Sequence, residues 1–316
     1  MKYEQSFNFP DNTVALLRDL IESRMGINYD IGGEEILKEK LVSCSLEGGF
    51  DSLLDYYYFL KYDDSPDAWK RLMDALTVPE TYFWREMDQI RALVDVLVPA
   101  YFAHTQSQPL RIWSAACATG EEPLSIAMAL NEKGWFYRAP IEIYASDVSP
   151  KSLNKAKLGV YSERSFRNLP VFLQEKYFCC ANDNNYGGFS GQNLPNSSLS
   201  KQSPSLNHNE HNFKSSRSNI ENNKRVSPEI HSRINWHYAN LMDESEIKFL
   251  ASSNIIFCRN VFIYFSQNSI RKTLQVFAEY MPTPAYLCVA ASESLLKLTS
   301  DFELQEIGGA FIYVKS

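Results

Sequence analysis

Through the first 76 residues, apolar positions recur every three to four residues. "TVALLRDLIESRMG", "EEILKEKLVSCSL", "FDSLLDYYYFLKY" and "DAWKRLMDAL" each keep that period, which predicts helices across 12–75. Asp11 or Asn12 stands where the first helix needs an N-cap, and Gly26 stands where it should stop. Short polar or glycine-containing breaks separate these segments, as in a small helical bundle. From about residue 88 the pattern changes. "MDQIRALVDVLVPAYFAH" reads as helix, "LRIWSAA" as strand, "EPLSIAMALNEKG" as helix, "IEIYASD" as strand and "PKSLNKAKLG" as helix. Further on, "NIIFCRNVFIY" reads as strand, "QNSIRKTLQVFAEYM" as helix and "AYLCVAASE" as strand. "FELQEIGGAFIYVKS" reads as a hairpin turning at Gly308-Gly309. Alternation of this kind predicts a mostly parallel sheet with helices on both faces.

One stretch breaks the alternation. Residues 181–230 contain 21 Asn or Ser out of 50 and few large apolar side chains. Such a segment buries too little surface to offset its ordering entropy, so it reads as a disordered insertion. His208 and His211 fall inside it and are read as loop residues; no metal site is expected. The formal net charge is −7, which argues against a general nucleic-acid binder. No apolar run is long enough to span a membrane, and the N-terminus lacks a signal-peptide pattern. The cysteines are scattered without CxxC spacing, which fits a reducing, cytoplasmic setting.

The candidate chemistry begins at "ACATGEEPLS", 116–125, a glycine turn opening a helix straight after a predicted strand. Nucleotide-binding folds place their ligand there. Glu121 and Glu122 would repel a pyrophosphate at that turn. S-adenosylmethionine, which carries a sulfonium and an ammonium but no phosphate, suits it better. Ala115, Ala116, Ala118 and Gly120 allow close backbone approach. Asp147, ending the next predicted strand, is placed to accept ribose hydroxyls. The other reading of the turn is a plain strand-to-helix connection with a capping acid, and the cofactor reading is the one favoured.

Four blocks together make the chain resemble the chemotaxis-receptor glutamate methyltransferases, the CheR family. They are "TVPETYFWRE" (77–86), "IWSAACATGEEPLSIAM" (112–128), "IYASDVSPKSLNKAKLGVY" (143–161) and "NIIFCRNVFIYF" (254–265). "YANLMD", "SESLL" and the terminal "GGAFIYVK" match more softly. The resemblance implies a small all-α domain (1–76) followed by a Rossmann-like S-adenosylmethionine-dependent methyltransferase domain (77–316) with a mixed, mostly parallel sheet. It also implies methyl transfer to glutamate side chains on the helical, cytoplasmic part of a methyl-accepting chemotaxis-type receptor, with S-adenosylhomocysteine as product. A cytoplasmic monomer that binds neither nucleic acid nor membrane is expected.

Residue by residue, the resemblance implies that Thr81 and Arg85 face the cofactor. Glu122 takes the methionine ammonium, with Glu121 as alternative, and Asp147 takes the ribose. Asn240 and Leu241 contact the adenine, and Arg259 and Asn260 form a further pocket edge. Tyr264 lies near the transferred methyl, and Arg85 is expected to orient the substrate carboxylate. Without the resemblance, Arg85 would read as a surface partner of Glu86 or Asp88.

Two departures stand out. Pro79 occupies a position where many family members carry Asn, so one cofactor hydrogen bond is either missing or replaced. Residues 1–75 carry 8 Lys or Arg against 15 Asp or Glu, whereas family members present a basic helix face to their receptor. The insertion also falls where the family places a small β-subdomain that can bind a receptor tail. Two other readings remain open. One is a non-catalytic cofactor- or receptor-binding adapter; the other is a methyltransferase for a small molecule or nucleic acid.

Overall fold

The structure is a computed structural model that describes residues 12–29, 33–63, 65–105, 108–181 and 223–316. His208, His211 and most of the Asn/Ser-rich stretch lie outside the described residues.

Four helices open the chain: α1 (Thr13–Met25), α2 (Glu34–Glu47), α3 (Leu53–Tyr62) and α4 (Pro66–Leu76). Local chemistry sets their ends. Gly26 ends α1 at φ 76°, returning its N–H to the Glu22 carbonyl. The Ser52 hydroxyl caps α3 by accepting from the N–H groups of Leu54 and Asp55, and Pro66 opens α4 where no N–H is needed. Asn12 occupies the cap position of α1 but makes no side-chain cap hydrogen bond. Leu17, Ile21, Leu37, Leu41, Leu60 and Leu72 pack into a core of their own at the centre of the bundle.

The predicted helix at 87–104 is interrupted. α5 (Met87–Ala92) passes into a π-helical turn (Leu93–Leu97) before α6 (Val98–His104). Pro99 has no N–H for the fourth carbonyl back, and the Val98 N–H reaches the Leu93 carbonyl instead.

The sheet then alternates with helices as expected. Its elements are β1 (Leu110–Ala115), α7 (Glu121–Glu132), β2 (Ile141–Asp147) and α8 (Pro150–Leu158). A small unit follows, made of β3 (Val160–Tyr161), α9 (Val171–Tyr177), β4 (Phe178–Cys180), β5 (Lys224–Val226) and α10 (Pro228–His231). The chain returns through β6 (Ile234–Tyr238), α11 (Glu244–Ala251), β7 (Ile255–Phe257), α12 (Gln267–Tyr280) and β8 (Ala285–Cys288). It closes with β9 (Glu303–Ile307) and β10 (Ala310–Lys315).

The seven-stranded sheet runs β6-β2-β1-β7-β8-β10-β9. Its first five strands are mutually parallel, and β10 and β9 run antiparallel through the Gly308-Gly309 hairpin. Helices cover both faces. Ile112, Ile143 and Leu124 belong to one core, and Trp113, Ile256 and Phe277 to the other. Between β1 and β7 the order of the strands reverses, so a crevice opens at their carboxyl ends.

Two expectations change. β3, β5 and β4 form a second, three-stranded antiparallel sheet beside the main one. The last residues of the presumed insertion are therefore the strand β5 and the helix α10. The predicted strand over 254–264 stops at Phe257; residues 262–264 form a 3-10 turn, and Asn260 sits at φ 60°.

Gly120 is the residue whose freedom this fold needs most. Its φ is 94°, and an added Cβ would stand 2.8 Å from the Trp236 ring and 2.9 Å from the Ala156 Cβ. Gly120→Ala is expected to destabilise the protein by about 2–4 kcal/mol through backbone strain and overpacking, read as a lowered denaturation midpoint. An unchanged midpoint would disprove that packing.

Candidate functional site

Two adjoining cavities occupy the crevice. The larger, about 320 Å³, is lined by Asp147, Val148, Leu241, Asn260 and Tyr264 from the sheet domain. Met25, Ile27, Tyr29 and Ile36 line it from the helical bundle. The smaller, about 70 Å³, is lined by Thr81, Arg85, Glu122, Arg259 and Asn260. Val78, Ala116, Ala118 and Asn260 border both. Of the candidate residues named from the sequence, Glu121, Ala115 and Gly120 line neither cavity, and the others line one or both.

The backbone around the cavities is strained in a consistent way. Ala116, Ala118 and Asn260 have φ of 55°, 48° and 60°, and Trp84 and Glu86, flanking Arg85, have 66° and 47°. Strained residues of this kind persist where surrounding contacts over-determine them, commonly at ligand sites. Asp147 supplies one such contact. Its carboxylate accepts from the Ala118 N–H and the Ser149 N–H, both at 2.8 Å, and so ties the turn after β1 to the end of β2. Ser149, not Asp147, caps α8. Burial pushes the Asp147 carboxyl up to about 6; the two N–H donors oppose the rise and nearby Asp74 adds to it.

The two glutamates of the turn separate cleanly. Glu121 points into the protein, where its carboxylate accepts from the Thr119 hydroxyl at 2.6 Å and the Ser165 hydroxyl at 3.0 Å. Glu122 borders the smaller cavity. It accepts from the Ser114 hydroxyl at 2.6 Å and lies 3.5 Å from the Arg259 Nε. Burial pushes its carboxyl up, while Arg259, Ser114 and Arg85 pull it down.

Arg259 is the most constrained charge in the site. Its side chain is 2% exposed. One nitrogen donates to the Arg85 carbonyl at 2.7 Å, but Nε and Nη1 have no hydrogen-bond partner in the protein. A buried guanidinium with unused donors beside a buried carboxylate suits a zwitterion, with an ammonium for Glu122 and a carboxylate for Arg259. The groups that S-adenosylmethionine presents therefore fit the residues present.

Arg85 approaches Glu86 at 3.7 Å, donates to the Glu80 carbonyl at 3.2 Å and lies 5.5 Å from the Tyr82 ring. The ion pair expected of an isolated surface arginine is thus present, yet the side chain also borders the cavity. Asn240 lines the larger cavity, but its hydrogen-bonding atoms are engaged. Its amide donates to the Arg24 carbonyl at 2.6 Å and accepts from the Met242 N–H at 3.0 Å. It builds the turn, and Leu241 is left as the apolar contact. Tyr264 is 40% exposed at the mouth, and its carbonyl accepts from the Asn28 N–H at 2.8 Å. Pro79 also lines the larger cavity.

Ser114, Glu293 and the bundle residues at the larger cavity carried no assigned role in the sequence, and Glu86 carried only that of an ion-pair partner for Arg85. Glu293 lies in the softly matching block "SESLL", where it is a lone acid in the apolar run "CVAASESLL". Burial pushes the thiols of Cys117 and Cys258 well up, which leaves them inert. Among the described residues, no group of His, Cys, Asp or Glu is arranged to hold a metal ion, and no helix is long and apolar enough to cross a membrane.

Residues 12–77 match the family described as CheR methyltransferase, all-alpha domain. Residues 79–195 and 191–310 match CheR methyltransferase, SAM binding domain. The chain is 27% identical over 307 residues to "Chemotaxis protein methyltransferase 2" of Vibrio cholerae, covering 96% of this chain and 93% of that one. It is 30% identical to the chemotaxis protein methyltransferase of Vibrio parahaemolyticus, covering 93% of each. With that of Borreliella burgdorferi the identity is 26%, covering 93% and 92%.

Asp147 makes the cavity sensitive to pH. In the unfolded chain its pKa is lower, so its ionised form costs the ligand-free fold stability above about pH 6, a cost relieved as pH falls through that value. With Asp147 expected to take the ribose hydroxyls, for which a carboxylate is the stronger acceptor, affinity for S-adenosylhomocysteine should weaken as pH drops below 6, by up to about tenfold per unit. Calorimetric titration between pH 5 and 7.5 reads this directly. Asp147→Asn should bind more weakly with a flatter profile, and a flat wild-type profile would exclude the role.

Proposed function

The chain belongs to the CheR methyltransferase family, and we propose that it transfers a methyl group from S-adenosylmethionine to glutamate side chains of a helical, chemoreceptor-type signalling protein in the cytoplasm. The observation that carries this reading is the pairing of a zwitterion-matched cavity (Glu122, Arg259) with a ribose-matched carboxylate (Asp147) on either side of one crevice. In this assignment Leu241 and the apolar bundle residues flank the adenine, and Asp147 accepts the ribose hydroxyls. Glu122 accepts the ammonium, Arg259 donates to the carboxylate, and Thr81 and Asn260 border the sulfonium end.

The bound cofactor supplies an electrophilic methyl group. A substrate glutamate is ionised at neutral pH, so its oxygen can attack without a general base. What remains for the protein is alignment. Arg85, at the junction of cavity and surface, matches carboxylate geometry and is assigned to orient that glutamate. Its approach to Glu86 tempers the attraction, which suits a carboxylate that loses charge as it reacts. Tyr264 closes the opposite side and offers one further hydrogen-bonding group.

Arg85→Ala is expected to lower methyl transfer by about 10²-fold or more, the scale of a lost positioning group. S-adenosylhomocysteine affinity should change less than tenfold. Transfer at the wild-type rate in that variant would remove Arg85 from the mechanism. The reading as a whole is tested by radiolabelled methyl transfer to membranes holding chemoreceptor-type proteins. Label released as methanol by mild alkali identifies a carboxyl ester, and alkali-stable label would point to another acceptor. Cofactor binding without transfer to any receptor would favour an adapter.

A further inference from the structure

The loop that carries the cavity edge does not hold its shape by itself. After β7 the chain leaves the sheet, places Asn260 at φ 60° and turns through 262–264. Glu293, 8% exposed, lies beneath it. One carboxylate oxygen accepts from the Asn260 N–H at 3.0 Å and the Ala290 N–H at 2.8 Å. The other accepts from the Val261 N–H at 2.8 Å and the Ile263 N–H at 3.3 Å. Four backbone donors from two loops thus converge on one buried acid. The second loop is itself anchored, because the Ala291 N–H donates to Glu86, the neighbour of Arg85.

Without this carboxylate, residues 260–263 would have three inward-facing N–H groups and nothing to accept from them. Burying such groups unpaired is costly, so the loop would rearrange. The residues it would carry with it are Arg259 and Asn260 at the smaller cavity and Val261 and Tyr264 at the larger.

We propose that Glu293 is a positioning residue for the cofactor site: through the N–H groups of Asn260, Val261 and Ile263 it fixes the loop that joins the two cavities. It touches neither cavity, since no lining residue comes from its segment. This assignment rests on the cavities holding S-adenosylmethionine.

Glu293→Gln keeps the size but turns a donor amide towards two N–H groups. It is expected to raise the dissociation constant for S-adenosylhomocysteine at least tenfold in protein that remains folded by circular dichroism. The KM for S-adenosylmethionine should rise more than kcat falls. A scaffold role alone would lower the denaturation midpoint and leave the affinity of folded protein unchanged, and that result would overturn the proposal. Glu293→Asp, one methylene short but still charged, should fall between wild type and Gln.

If neither variant folds, hydrogen exchange on the wild-type protein carries the test. Protection at Asn260, Val261 and Ile263 should rise together on adding S-adenosylhomocysteine, and unaltered protection would overturn the assignment. Wild-type protein that fails to bind at all would instead refute the cofactor reading on which the assignment rests.

Discussion

A fully buried guanidinium sets the terms for the site. Arg259 stands with two unused donors between Glu122 and the Arg85 carbonyl. A buried charge is expensive, and Arg259 is offset by the carboxylates of Glu122 at 3.5 Å and Glu86 at 3.9 Å. The segments around it are arranged to tolerate that charge. β1 contributes Ser114, which holds Glu122; the 83–86 turn contributes a carbonyl; and Glu293 shapes the loop on which Arg259 rides. Each of these is an acceptor or an orienter aimed at the same small volume. The positive backbone angles at Ala118 and Asn260 are held by carboxylates, Asp147 for the first and Glu293 for the second.

The helical bundle is part of the same construction. Met25, Ile27, Tyr29 and Ile36 wall the larger cavity, so that space is built by the bundle and the sheet domain together. Three of the segments at that cavity are tied across the domain boundary. Asp74 accepts from Ser149 and Lys151, the Arg24 carbonyl accepts from Asn240, and Gly26 and Asn28 bond the Tyr264–Ser266 segment. Ile27 even pairs with Phe265 as an isolated bridge. The bundle is therefore a wall of the larger cavity and not a separate appendage.

Two unusual features of the sequence take on a physical meaning here. Pro79 presents an apolar ring to the larger cavity, where its lack of an N–H matters only if that donor is needed. In the sequence, the Asn/Ser-rich stretch falls between β4 and β5, which pair antiparallel in the small sheet.

Much was legible in the sequence because it depends on local order. Helical and alternating periods located the bundle helices, the Gly308-Gly309 hairpin and most strands and helices of the main sheet, but not β6, α11 or the three short strands of the second sheet. The glycine turn with its two acids, together with Asp147 at a strand end, marked the crevice. Local order could not tell which of Glu121 and Glu122 faces the cavity, because one residue along a helix turns a side chain by about 100°. Nor could it show that "CRNVFIY" abandons the strand, since the carboxylate that bends it lies some thirty residues away at Glu293. The unused donors of Arg259 and the bundle wall of the larger cavity are likewise contacts between distant segments. The sequence determined which chemical groups are available; tertiary packing decided which of them meet, because burial and hydrogen-bond partners are properties of neighbours in space.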